Sequence, residues 1–131
     1  MNQFKSDATS MTPEIVFSPQ SNSLSIVGEC YPENPIAFFA PVFSVLKKHF
    51  QSQEVPDFEA VIRLRYVNSA STKALRYLFV LLDDLGGRGS GVQIRWQFDP
   101  EDDALQELGA DLAEDMAYLT FQECPVEDAA A

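Results

Sequence analysis

The chain has 131 residues, with 20 acidic side chains, 9 basic ones and a single histidine, and its formal net charge is −11. Hydrophobic residues make up 46% of the chain and charged residues 22%, a balance typical of a globular domain and too apolar for general disorder. The negative charge argues against nucleic-acid binding, and no apolar run approaches the roughly 20 residues of a membrane-spanning helix.

The beginning of the chain and its cysteines favour a cytoplasmic protein. Residues 1–13 lack the basic and then apolar pattern of a secretory signal. Cys30 and Cys124 are too few for a disulfide scaffold and fit reduced thiols. We therefore expect a flexible leader over residues 1–13, one domain over residues 14–124 and an acidic, alanine-rich tail over residues 125–131.

A β-hairpin is predicted first, from two short β-rich runs at residues 14–17 and 23–28. Asn34 followed by Pro35 then indicates the start of a helix. Asparagine can cap a helix, and proline is tolerated at the first helical position because an N–H there would have no partner within the helix. Apolar residues recur every three or four positions after it, which predicts an amphipathic helix over residues 35–50.

Strands and helices alternate through the rest of the chain. Strands are predicted at residues 60–67, 92–98 and 119–124, and helices at residues 72–85 and 101–116. The order ββαβαβαβ predicts an α/β domain with a mainly parallel mixed sheet, right-handed crossovers, an antiparallel hairpin strand at one edge, and helices packed on the sheet.

The basic residues all precede residue 97, and residues 97–131 contain eleven acids. This acidic segment is either a solvated helix face with a frayed tail, or a docking face for a basic partner.

The pattern of an enzyme or a metal site is missing. His49 lies beside two lysines and is predicted at the surface, and a pairing of His49 with Cys30 would have no third partner. The glycine-rich run Gly86–Gly91 follows a helix and precedes a strand, the reverse of a phosphate-binding loop. We therefore predict no catalytic residue, no metal site, no cofactor and no enzymatic activity.

The segment Tyr66–Lys73 joins the end of a parallel strand to a helix, at the edge where α/β sheets usually place function. It offers three hydroxyls, on Ser69, Ser71 and Thr72. A serine or asparagine here commonly serves only as a helix cap. Alternatively, a phosphate would be stabilised by the free N–H groups at the helix N-terminus and would add a charge of about −2.

Three motifs of the sequence belong together: GECYPENP at residues 28–35, LRYVNSASTK at residues 64–73, and VQIRWQF at residues 92–98 with the acidic residues that follow it. In this combination they resemble the SiaC family of bacterial regulatory phosphoproteins. The resemblance covers residues 12–124. It implies a fold similar to that of STAS-domain anti-sigma-factor antagonists.

The resemblance implies a partner-switching module. Family members are phosphorylated by a cognate kinase on the hydroxyl residue after the motif's asparagine, which is Ser69 here, and a PPM-type phosphatase reverses the reaction. The unphosphorylated form of the best-understood member binds and activates a diguanylate cyclase, which raises cyclic di-GMP and favours the formation of biofilm or aggregates. Ser69 stands where the family usually has threonine, and Ala70 where it has serine, so Ser71 and Thr72 remain alternative sites.

The Tyr31–Asn34 motif has two interpretations: the cap and entry turn of the first helix, or part of a recognised surface beside Ser69. The residues expected to bind partners are Tyr31, Glu33, Asn34, Asn68, Ser71 and Lys73. The alternatives to a phospho-switch are a constitutive scaffold protein, in which Ser69 is only a cap, and a STAS-type anti-sigma-factor antagonist.

Overall fold

A computed structural model describes residues 3–127, so residues 1–2 of the predicted leader and residues 128–131 of the predicted tail lie outside the described residues. The elements are strands β1 (Phe4–Ser6), β2 (Glu14–Ser18), β3 (Ser23–Cys30), β4 (Asp57–Val67), β5 (Gly91–Phe98) and β6 (Thr120–Pro125), and helices α1 (Pro35–Ser52), α2 (Ser69–Gly87) and α3 (Asp103–Ala113). The predicted α/β class is confirmed.

The six strands form one sheet in which the spatial order follows the chain order, β1-β2-β3-β4-β5-β6. β1, β2 and β3 pair antiparallel, and β3, β4, β5 and β6 pair parallel. The parallel sheet with an antiparallel hairpin at its edge is therefore confirmed. The edge carries one more strand than predicted, because β1 lies in the segment predicted as a flexible leader, where Phe4 pairs with Phe17.

Alternation along the strands separates two faces of the sheet. One face is buried; it includes Phe58, Ala60, Ile62 and Leu64 of β4, and Val92, Ile94, Trp96 and Phe98 of β5. The other face carries polar cross-strand pairs, such as Arg95 with Glu59 (3.0 Å) and Gln93 with Gln122 (2.8 Å). The hydrophobic core therefore lies on one side of the sheet.

The helices cover the buried face. Right-handed crossovers that always step to the next strand place successive helices on the same side of a sheet. The ring of Phe50 in α1 lies 5.2 Å from Phe58, and the ring of Phe79 in α2 lies 6.1 Å from Trp96. α2 packs between α1 and α3.

The helices differ at their ends from those predicted; α1 and α2 each end two residues later, at Ser52 and Gly87. α2 begins at Ser69 rather than at Thr72, because Asn68 caps it. α3 runs from Asp103 to Ala113 and is shorter than the predicted helix over residues 101–116; Asp102 caps it by accepting a hydrogen bond from the N–H of Leu105 (3.1 Å). In residues 3–127, no helix is long and apolar enough to cross a membrane.

Candidate functional site

The junction of β4 and α2 is fixed by Asn68. Its Oδ1 accepts a hydrogen bond from the N–H of Ser71 (2.9 Å), which caps the helix. Its own N–H donates to the carbonyl of Cys30 (3.2 Å), the last residue of β3. The start of α2 is thus tied to the ends of two neighbouring parallel strands, at the edge where the sequence predicts function.

The three hydroxyls after Asn68 differ in accessibility. Ser69 is exposed at the first position of α2. Thr72 is half-buried, and its hydroxyl donates to the carbonyl of Asn68 (3.4 Å). Ser71 is fully buried, so its side chain does not line the surface where a partner-binding residue was expected. Only one of the three hydroxyls therefore faces solvent freely.

The buried Ser71 side chain lies near the Cys30 thiol. Burial raises the pKa of Cys30 to about 11, and the nearby Ser71 hydroxyl opposes part of this rise. Ser71 Oγ has no hydrogen-bond partner among the oxygen, nitrogen and sulfur atoms of the described part of the chain. Because a thiol with such a pKa stays protonated at neutral pH, this pair is not an activated nucleophile.

A β-bulge shapes the neighbouring edge. The pairing of β3 with β4 shifts between Gly28 and Glu29, so that Tyr66 of β4 lies opposite Glu29. An extra residue in one strand reverses the faces of the side chains that follow. Tyr66 is consequently turned outward, with 55% of its surface exposed.

Tyr31 lies against this edge of the sheet, beside Tyr66. Its ring meets the Tyr66 ring edge-on at 5.5 Å. Its hydroxyl donates to the carbonyl of Ser10 (2.8 Å), and its N–H donates to the carbonyl of Met11 (2.8 Å). The structure therefore brings Tyr31 to the strand that precedes Ser69.

The other residues of the predicted set lie at the starts of two helices. Asn34 caps α1 by accepting a hydrogen bond from the N–H of Ala37 (3.2 Å). This agrees with the interpretation of the Tyr31–Asn34 motif as the cap and entry turn of the first helix. Glu33 and Lys73 are exposed, Lys73 one turn after Ser69 on α2. No hydrogen bond joins Glu33 or Asn34 to Ser69 among residues 3–127.

His49 was predicted at the surface, and that prediction is wrong. The ring is fully buried; its Nε2 hydrogen-bonds Asn22 Oδ1 (2.7 Å) and its Nδ1 hydrogen-bonds Gln53 Nε2 (2.9 Å). Burial lowers its pKa, which favours the neutral form of the ring in the folded chain. The lysines beside it point outward because they lie on the opposite side of α1.

The described residues offer no arrangement typical of an enzyme centre. Within residues 3–127, no group of three or more histidine, cysteine or acidic side chains could hold a metal ion. Both ring nitrogens of His49 are hydrogen-bonded, one to Asn22 and one to Gln53, and neither partner is a nucleophile. What the junction presents is an accessible hydroxyl, that of Ser69, at the start of α2.

Sequence reasoning missed Tyr66 and Cys30 as parts of this site. The one signal for the bulge was Gly28, since a glycine inside a strand often marks a bulge or a close backbone approach. Gly28 has φ +131°, a conformation that other residues rarely adopt.

Comparison with known proteins identifies the family. Residues 6–126 match the model of the family described as SiaC family regulatory phosphoprotein. The chain belongs to the SiaC family. An uncharacterised protein from Pseudomonas aeruginosa (strain UCBPP-PA14) is 30% identical to this chain over 118 residues, which cover 90% of this chain and 93% of that protein.

Solved SiaC structures have the same fold. The crystal structure of apo-SiaC from Pseudomonas aeruginosa aligns with a TM-score of 0.85 and 29% identity, over 93% of this chain and 99% of that one. SiaC is also known from a crystal structure in which it is the activator bound to the diguanylate cyclase SiaD of Pseudomonas aeruginosa. That SiaC chain aligns with a TM-score of 0.83 and 28% identity, over 92% of this chain and 98% of its own length.

Proposed function

We propose that this chain is a non-enzymatic phospho-switch. In its unphosphorylated form it binds and activates an effector of the diguanylate cyclase class. A cognate serine/threonine kinase phosphorylates Ser69 and releases the effector, and a PPM-type phosphatase restores binding. The output is a change in cyclic di-GMP and, through it, in biofilm formation. Family membership and the complex of the related SiaC with a cyclase support this proposal.

The exposure of Ser69 is the observation that carries the choice of residue. A kinase must reach the hydroxyl, and Ser69 is exposed directly after the capping Asn68. Ser71 would have to leave the core first, and Thr72 would have to give up its bond to the carbonyl of Asn68. Accessibility therefore favours Ser69 over both alternatives.

A phosphate on Ser69 is compatible with the fold. The first turn of α2 contains no acidic residue, and the helix N-terminus favours negative charge. The same phosphate adds a charge of about −2 to the surface that an effector meets. Phosphorylation should therefore change binding while leaving the folded structure intact.

The test is reconstitution with the kinase, phosphatase and diguanylate cyclase of the same bacterium. Intact mass should show one added phosphate on the wild type and none on Ser69→Ala, with Thr72→Ala as the matched control that is still phosphorylated. Cyclic di-GMP synthesis should rise with the wild type and with Ser69→Ala, and should not rise with Ser69→Asp or with the phosphorylated protein.

Two results would contradict the proposal. Unchanged phosphorylation of Ser69→Ala would move the modified residue elsewhere. A cyclase that is neither bound nor activated by any form would favour the constitutive scaffold over the switch.

A further inference from the structure

A groove runs along the outer surface between α1 and α2. Its first part is a cavity of about 490 Å³, and a second cavity of about 660 Å³ shares Lys47 with it. We call the two together the α1/α2 groove. The first part is lined by Ile36, Ala40, Phe43, Lys47, Lys73 and Tyr77, and the second continues past Phe50, Leu81, Asp84, Arg88 and Tyr118.

The length of the groove suits a helix. On α1 its lining extends from Ile36 to Gln51, a span of about 22 Å at a rise of about 1.5 Å per residue. A helical segment of about 15 residues has the same length. Peptides that bind between two helices commonly do so as amphipathic helices, with apolar anchors spaced three or four residues apart.

The first part of the groove is mainly apolar, and two of its hydrophobic side chains are exposed. Ile36 has 58% of its surface exposed and Tyr77 has 41%. The Phe43 ring lies 4.8 Å from the Tyr77 ring, and Lys47 Nζ lies 4.9 Å from the centre of that ring. Of the six large hydrophobic side chains exposed in residues 3–127, three line this groove, and such grouping marks interaction sites.

The groove is basic although the chain is strongly acidic. Lys47, Lys73 and Arg88 line it, against the single acid Asp84, in a chain whose net charge is −11. Complementary charge selects a partner and orients it. The groove therefore suits an occupant with acidic side chains beside an apolar stripe.

We propose that the α1/α2 groove binds an amphipathic helix of the effector, whose apolar stripe is flanked by aspartate and glutamate. This inference rests on the proposed function and names the surface and chemistry of its partner contact. Ser69 lies four residues before Lys73, so the two are neighbours on α2. A phosphate there pairs with Lys73 and repels the acidic helix at one end of the groove.

Two synthetic peptides of about 15 residues test the chemistry of the occupant. Both carry the same leucine stripe; one is flanked by glutamates and the other by lysines. Fluorescence anisotropy with the full chain should show the glutamate peptide binding at least about tenfold more tightly than the lysine peptide. Absence of binding, or equal binding of the two peptides, would overturn the proposal.

Matched variants test the location. Lys47→Glu with Lys73→Glu should weaken the glutamate peptide at least about tenfold, as should Ile36→Ser. Lys48→Glu with Arg76→Glu makes the same change of charge at exposed positions that do not line the groove, and should have a much smaller effect. Equal losses in the two charge-reversed variants would mean that net charge alone, and not the groove, governs binding.

The same variants separate this inference from the proposed function. A cyclase that is activated equally by the wild type and by Lys47→Glu with Lys73→Glu would overturn the groove and leave the switch intact. Peptide binding in the groove without any cyclase activation would contradict the proposed function alone. A dimer of the chain that is lost in the groove variant would assign the groove to the acidic α3 of a second copy, and would overturn the effector helix.

Discussion

Asn68 and Ser69 are adjacent and have different roles. The side chain of Asn68 satisfies the N–H of Ser71, so the cap of α2 is the asparagine, while Ser69 is the first helical residue and faces solvent. The scaffold alternative took Ser69 as the cap, and the structure assigns that role to its neighbour. The helix cap and the proposed phosphorylation site can therefore be mutated separately at these two positions.

We expect Asn68→Ala to lower the free energy of unfolding by about 1 kcal/mol, because it removes the cap. Ser69→Ala should change it by less than about 0.5 kcal/mol, as is usual for an exposed position. Urea denaturation of both variants measures the difference. A cost for Ser69→Ala as large as that for Asn68→Ala would show that Ser69 also stabilises the helix start.

His49 makes stability depend on pH. Burial lowers its pKa in the folded chain below the ordinary value of 6.5. As the pH falls, the unfolded chain therefore binds a proton at this histidine before the folded chain does. The contribution of His49 to the free energy of unfolding is fully present above about pH 6.5. Below that pH the free energy of unfolding falls, by up to about 1.4 kcal/mol per pH unit.

Urea denaturation at about pH 7.5 and about pH 5.5 measures this loss, and His49→Gln serves as the control that cannot titrate in this range. The wild type should lose more stability than His49→Gln over this interval. Equal losses would show that other groups cause the pH dependence.

At the scale of elements, α3 is held against the sheet by a close approach of Gly109 to Trp96. A Cβ at position 109 would lie 2.5 Å from Trp96 Nε1. The indole N–H donates to the carbonyl of Leu105 (2.9 Å), so the ring is fixed where it is. Glycine at this position is a packing requirement rather than a weakness of the helix.

Gly109→Ala should therefore destabilise the fold by about 1 to 3 kcal/mol, although alanine is the better helix former by about 1 kcal/mol. Thermal or urea unfolding measures the change. Ala110→Gly, at the next and exposed position, reports the propensity effect alone. A stabilised Gly109→Ala would mean that α3 can move away from Trp96.

The sequence predicted three helices and five of the six strands, because their apolar periodicity is clear. β1 was missed because three residues carry no pattern, and Phe4–Ser6 is a strand only through its pairing with β2. The start of α2 was predicted three residues late, because its first turn is rich in serine and threonine. These residues are more typical of a loop than of a helix.

The sequence placed the candidate site but did not predict its contacts. Chain order alone puts Ser69 after a strand and before a helix. The burial of Ser71, the outward turn of Tyr66 and the contact of Cys30 with the start of α2 depend on the register of β3 and β4 and on the bulge. The register between β3 and β4 cannot be predicted from a local sequence pattern, because the two strands are far apart in the chain.

At the scale of the whole molecule, the order of the strands separates the two cysteines. Cys30 ends β3 and Cys124 lies in β6, with β4 and β5 between them. Three strand spacings of about 4.8 Å amount to about 14 Å, and a disulfide requires Cα atoms within about 7 Å. An intramolecular bridge is incompatible with this sheet.

The two thiols should differ in reactivity. Cys124 is half-buried and should react readily with a thiol reagent such as Ellman's in the native protein. Cys30 is buried, and its raised pKa of about 11 keeps it protonated, so it should react only after unfolding. Cys124→Ser should abolish the fast reaction, and two fast thiols in the native protein would contradict the burial of Cys30.

The sequential order of the sheet bears on how the protein is made. Every strand neighbours the strand that precedes it in the chain, so each new strand that leaves the ribosome finds its partner already synthesised. No strand has to wait for a segment that is synthesised later, and each parallel pair forms across a single connection that contains one helix. We therefore expect the sheet to grow from the N-terminal hairpin toward β6 during synthesis, with little unpaired edge exposed at any stage.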